Sequence, residues 1–123
     1  MNKFPDQDRR RHRRVEGNIP LKISTGDFDI VTETKNLSRT GAFCRVNQYV
    51  EPMTKLKIHL LLNFRRNKKI LTKKISCEGV VVRTESNPKD DDSYNIAIFF
   101  NEISERAADT LAEFVESTNG KLA

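Results

Sequence analysis

Between Leu56 and Phe64 every second residue is apolar: Leu56, Ile58, Leu60, Leu62 and Phe64. That period of two describes a strand with one buried face, because a helix would scatter such positions around its axis. The same rhythm recurs along most of the chain. Ile19, Leu21 and Ile23 alternate with polar neighbours, and Phe28, Ile30 and Thr32 do so after a Thr25-Gly26-Asp27 turn. Asn36 to Gly41 interrupts it with turn-forming residues, Ala42 to Val46 resumes it, and Pro52 closes that segment. A polar hairpin tip at Arg65-Arg66-Asn67-Lys68-Lys69 leads into a second long strand, Ile70 to Arg83, where Gly79 implies a bulge or bend. Asn87 to Asp92 reads as an exposed turn before the apolar strand Ile96 to Phe100.

Only the last segment has helical spacing. Ser104 can cap it, Ala108, Leu111, Ala112 and Val115 fall at i, i+3, i+4 and i+7, and Asn119-Gly120 supplies a stop, giving a helix over about 104–118. Six or so antiparallel strands joined by hairpin-length loops, with one terminal helix, predict a mainly β fold. The expected form is a small β-barrel with the helix on its outside or across its mouth. Closure also removes exposed edges from strands this apolar.

Composition narrows the function. The chain has 123 residues, enough for one domain. Its longest apolar runs, such as Leu60 to Leu62 and Ile96 to Phe100, fall far short of the ~18 residues of a membrane span. No signal peptide is expected, because the first residues are polar and arginine-rich with no apolar stretch behind them. Cys44 and Cys77 both sit in apolar strand-like runs and are expected to be free buried thiols in a reducing cytoplasm. Catalysis fits poorly. His12 and His59 have no partner at metal-ligand spacing, His59 reads as a solvent-facing strand residue, and no phosphate loop, dinucleotide fingerprint, HExxH or CxxC occurs. No enzyme activity, metal or cofactor is expected.

The net charge of +5 is unevenly placed. Residues 1–14 hold Lys3, Arg9, Arg10, Arg11, Arg13 and Arg14 against Asp6 and Asp8, a net +4, which leaves +1 for residues 15–123. The first fourteen residues therefore read as a flexible arm acting as a local anion clamp, ahead of a nearly neutral domain. A second constellation is Asn36-Leu37-Ser38-Arg39-Thr40-Gly41. Each stretch alone has an ordinary explanation, a solvated basic tail and a turn with Asn and Ser bonding local amides.

Together, Arg10-x-x-x-Arg14 and Asn36-x-Ser38-x-x-Gly41, with 22 positions from Arg14 to Asn36, resemble the paired signature RxxxR and (D/N)xSxxG of the PilZ domain family. The resemblance extends through Val15, Gly79-Val80-Val81-Val82-Arg83 and Ile96-Ala97-Ile98-Phe99-Phe100. One departure is Ala97, where family members often carry glycine; it lies outside the binding signature. The resemblance implies a six-stranded antiparallel PilZ-type barrel with a C-terminal helix, and binding of the bacterial second messenger cyclic di-GMP. The residue types suit that ligand. A guanidinium can bond guanine O6 and N7 in a bidentate way or bridge phosphate oxygens. Arg10 and Arg14 are the main contacts expected, on one face of an extended arm. Asn36 and Ser38, two apart, would present amide and hydroxyl to the other guanine edge. Asparagine instead of aspartate weakens that bond, and Gly41 would let the backbone turn and the ligand approach. An extra arginine at Arg9 accompanies, in the family, binding of a stacked ligand dimer.

The expected mechanism is ordering of the arm by the ligand, creating a surface for a downstream protein, since a one-domain chain has no output domain. No membrane partner is expected. Two other readings compete. One is a ligand-blind structural PilZ module. The other is a single-stranded nucleic-acid-binding barrel using the arm with Arg65, Arg66, Lys68, Lys69, Lys73 and Lys74. Against nucleic acid, the chain has no Trp, only Tyr49 and Tyr94, and its seven Phe fall mostly at inward-looking positions.

Overall fold

The computed structural model describes residues 14–16 and 18–122. Among the described residues seven strands precede one helix: β1 (Arg14–Glu16), β2 (Pro20–Ser24), β3 (Asp29–Ser38), β4 (Gly41–Val46), β5 (Lys55–Arg66), β6 (Lys69–Asn87), β7 (Asp90–Glu102) and α1 (Glu105–Leu122). All pairings are antiparallel. The order β3-β2-β5-β6-β7-β4 closes on itself through a β3–β4 pairing, so six strands form a ring and β1 is added on β3. The ring is the mainly β architecture expected from the alternation.

Its interior is filled by the alternating residues. Leu21, Ile23, Leu56, Ile58, Leu60, Leu62, Val81 and Ile96 are all essentially inaccessible to solvent. Each such side chain contributes about 1.5–3 kcal/mol relative to exposure. Gly79 stands on an inward position, where a Cβ would lie 2.6 Å from Ile58 Cδ1 and 2.8 Å from Ile98 Cγ2. The β6–β7 register shifts beside it, between Glu78 and Val80. Both cysteines are free, Cys44 buried and Cys77 only half-buried.

Several boundaries differ from the sequence reading. Ladder hydrogen bonds extend β3 through Asn36 and Ser38, leaving only Arg39 and Thr40 for the turn. Asn87 and Asp90 likewise belong to strands, and only Pro88 and Lys89 turn. The β5–β6 connection shrinks to Asn67 and Lys68, both with positive φ (50° and 67°), a conformation that follows the strand twist.

Ser104 caps α1 as expected, its Oγ accepting from the Ala107 amide at 3.1 Å. The buried stripe, however, is Ala107, Leu111, Phe114 and Val115, while Ala108 and Ala112 are only half-buried. The helix also continues through Asn119 and Gly120 to Leu122. It packs against β1, β3, β5 and β6, with the Phe114 ring edge-on to Phe64 at 5.6 Å.

Candidate ligand site at the β3–β4 turn

Two bulges build the site. Along β3, Ile30 and Thr34 are buried at even positions. Continued without interruption, that alternation would send Asn36 and Ser38 into the core. The β3–β4 register shifts between Thr34 and Asn36: Thr34 opposes Cys44 and Asn36 opposes Phe43, so Lys35 is the extra residue. Beyond the bulge the inward position is Leu37, paired with buried Ala42, and Asn36 is aimed outward. A second shift, between Val81 and Arg83, makes Val82 the extra residue and turns Arg83 outward opposite Ala97. Re-aiming a side chain in this way is a common use of bulges at functional sites.

The result is a cross-strand row on the outer surface. Asn36 opposes Phe43, Phe43 opposes Ala97, and Ala97 opposes Arg83. In the adjacent row Gly41 opposes Phe99. Asn36, Ser38, Thr40, Gly41, Phe43, Arg83, Ala97 and Phe99 line one cleft of about 230 Å³. Phe99 is 47% exposed beside it, and Lys35 places its Nζ 5.9 Å from the centre of the Phe43 ring. Arg83 is an exposed guanidinium whose Nε lies 3.3 Å from Glu85 Oε2. A cleft with an amide, two aromatic rings and cations at its edge can take a planar, hydrogen-bonding anion.

Of the expected contacts, Asn36, Ser38 and Gly41 come together here, and β1 brings in the arm. Arg14 stands opposite Ser38, Val15 opposite Leu37 and Glu16 opposite Asn36. Val15 is buried and anchors this short strand. Arg9 and Arg10 lie outside the described residues, as does the rest of the arm before Arg14.

Three of the positions named from the sequence acquire a structural setting. The Ser38 hydroxyl is buried and engaged locally, accepting from the Thr40 amide at 3.3 Å and approaching Thr40 Oγ1 and the Gly41 carbonyl at 3.3 and 3.4 Å. It therefore shapes the turn. Gly41 is demanded by the fold: a Cβ there would overlap the Ile98 carbonyl oxygen of β7. Ala97, outside the binding signature, lines the cleft itself.

The aromatic inventory changes too. Among the described residues Phe64, Phe100 and Phe114 are buried, but Phe43 and Phe99 are on the outer surface at the cleft. Phe43, Arg83 and Phe99 are not among the contacts expected from the sequence, although Arg83 and Phe99 stand in segments that carry the family resemblance. Arg83 and Phe99 lie on β6 and β7, and only the register of pairing brings them to the turn. Tyr49 and Tyr94 pack edge-on with each other at 5.5 Å and do not line this cleft. His59 is half-buried on the outer surface, 2.8 Å through Nδ1 from Ser76 Oγ. Among the described residues no group of three or more His, Cys, Asp or Glu could hold a metal ion, and no helix is long and apolar enough to cross a membrane.

The described residues thus form a closed ring of antiparallel strands with an outer cleft at the β3–β4 turn and one C-terminal helix. The chain belongs to the PilZ domain family, whose model matches residues 8–117; the family comprises cyclic di-GMP-binding receptor and effector modules. No curated protein matches the sequence. Among solved structures it is similar to the inhibitor of motility MotI/DgrA of Bacillus subtilis, with a TM-score of 0.75 and 19% identity over 92% of this chain. At that identity the likeness speaks for the fold. The match takes in 52% of the MotI/DgrA chain, so this protein spans about half its length.

Proposed function

We propose that this protein is a cytoplasmic receptor for cyclic di-GMP that passes the signal to a partner protein. The observation that carries this reading is the β1–β3 register, which sets Arg14 of the RxxxR arm directly opposite Ser38 of NxSxxG. In this reading Arg10 and Arg14 grip one guanine and the phosphates, and Asn36 offers its amide to the other guanine edge. Phe43 or Phe99 supplies an apolar face for a base, and Arg83 exchanges Glu85 for a ligand anion. Ser38 and Gly41 act by holding the turn. No cofactor takes part. The ligand fixes the arm onto the outer surface of β3 and β4, and the covered surface is what the partner reads. A reducing compartment suits the two free thiols.

Calorimetric titration tests this. Cyclic di-GMP should bind at micromolar affinity or better and in preference to GTP and cyclic di-AMP, because adenine places a donor where guanine O6 accepts. Arg10→Ala and Arg14→Ala should each weaken binding by roughly 2 kcal/mol or more, while Lys89→Ala in the far hairpin leaves it unchanged. Indifference among the three nucleotides would reduce the site to a charge trap. If Arg9 holds a second, stacked molecule, the wild type takes two ligands per chain and Arg9→Ala drops towards one.

A further inference from the structure

The near-neutral domain hides a segregation of charge. Residues 52–77 hold eight basic groups and no acidic one, whereas residues 15–51 and 78–123 together hold eight basic and fifteen acidic groups. The basic stretch makes up the β5–β6 hairpin, so its cations gather on one ribbon. Residues 65–72, around its turn, are all exposed. Among them Ile70 is 62% and Leu71 48% exposed.

A lone exposed aliphatic is ordinary, but this pair sits between cations on opposite faces of the ribbon. Neighbours along a strand point to opposite faces, and cross-strand partners share one. Ile70 opposes Arg65, and Leu71 opposes Phe64. One face thus carries Ile70 with Arg65 and, further along, Lys74; the other carries Leu71 with Lys69. Arg66 is held by Glu113 of α1, which ties the ribbon to the helix. A folded protein or a nucleic-acid strand covers one face of a ribbon, whereas a layer of lipid headgroups surrounds its end. Single strands also call for stacking aromatics, and the hairpin's one Phe, Phe64, is buried.

We propose that the end of the β5–β6 hairpin docks this protein on an anionic lipid surface, with Ile70 and Leu71 entering the headgroup region and Lys68, Lys69 and Lys74 held by lipid phosphates. Such peripheral attachment needs no spanning helix and is independent of the nucleotide reading. Attraction of this kind is worth about fivefold in partitioning per cation near the surface.

Sedimentation of the full chain with phosphatidylcholine vesicles, with and without roughly 30% phosphatidylglycerol, tests it. The anionic vesicles should capture about tenfold more protein or better. Combined Ile70→Ser and Leu71→Ser, and separately Lys68→Ala with Lys69→Ala, should each lower capture about tenfold or more, with circular dichroism and unfolding midpoints showing that both variants remain folded. Because the chain has no Trp, Ile70→Trp installs a single fluorophore whose emission should shift blue on anionic vesicles and be quenched by brominated acyl chains. Equal capture by both vesicles, no capture by either, or serine variants that bind like the wild type would overturn the proposal. So would binding of poly-glutamate or a single-stranded oligonucleotide without vesicle capture, which would give the ribbon to an acidic protein or a nucleic acid.

Discussion

Gly41 and Gly26 both sit at turns, yet their replacement by alanine should have opposite consequences. At Gly41 the new methyl meets the Ile98 backbone, which cannot move without parting β4 from β7; the expected loss is about 2 kcal/mol or more in urea unfolding. At Gly26 nothing lies within 4 Å, and the turn is held by Thr25 Oγ1, which accepts from the Asp27 and Phe28 amides. Alanine there should stabilise by about 0.4–1 kcal/mol through the unfolded chain. The thiols report on pH. Burial pushes Cys44 up to about 12, and burial followed by the Glu78 charge pushes Cys77 up to about 11. These pKa values are raised on folding, so the thiols' stabilising contribution is complete below the unfolded value near 9 and is lost as pH climbs towards the folded values. Unfolding midpoints compared at about pH 8 and pH 10 should therefore fall less when both cysteines are alanine than in the wild type.

At the level of elements, the long β5–β6 hairpin turns on two residues in the left-handed region. Lys68→Gly should stabilise it by roughly 0.5–1 kcal/mol, because glycine escapes the Cβ penalty of that conformation at some cost in chain entropy; thermal melting would show it. For α1, Ser104→Ala should cost about 1 kcal/mol by orphaning the Ala107 amide. Phe114→Ala should cost about 3 kcal/mol or more, since it empties the space against Phe64. The helix also shows how far local pattern reaches. Its cap is legible in Ser104 and half of its buried stripe in Leu111 and Val115, but the other half, Ala107 and Phe114, is not. Several apolar faces can be drawn on this segment, and the strands it packs against select the one through Ala107 and Phe114. Likewise Asn119-Gly120 is a fair stop signal in isolation, yet α1 runs through it to Leu122.

For the whole molecule, a ligand that binds only the folded state raises stability by about 2.7 kcal/mol at a hundred times its dissociation constant. Saturating cyclic di-GMP should therefore raise the melting temperature, and Arg14→Ala should abolish the rise without changing the melt of the free protein by a comparable amount. The alternation of Leu56 to Phe64 and its companion strands was enough to determine a closed antiparallel β fold, because period two reports directly on which residues must leave water. The paired motifs identified the family for the same local reason: their residue types and spacing are written along the chain. What only the tertiary structure decided is where those residues point. Carried forward from Ile30 and Thr34, the alternation would bury Asn36. A bulge at Lys35 turns it outward, and another at Val82 does the same for Arg83. A bulge is set by the pairing of two strands, and pairing is a long-range property, with Arg83 and Phe43 forty residues apart yet in line across β4, β7 and β6.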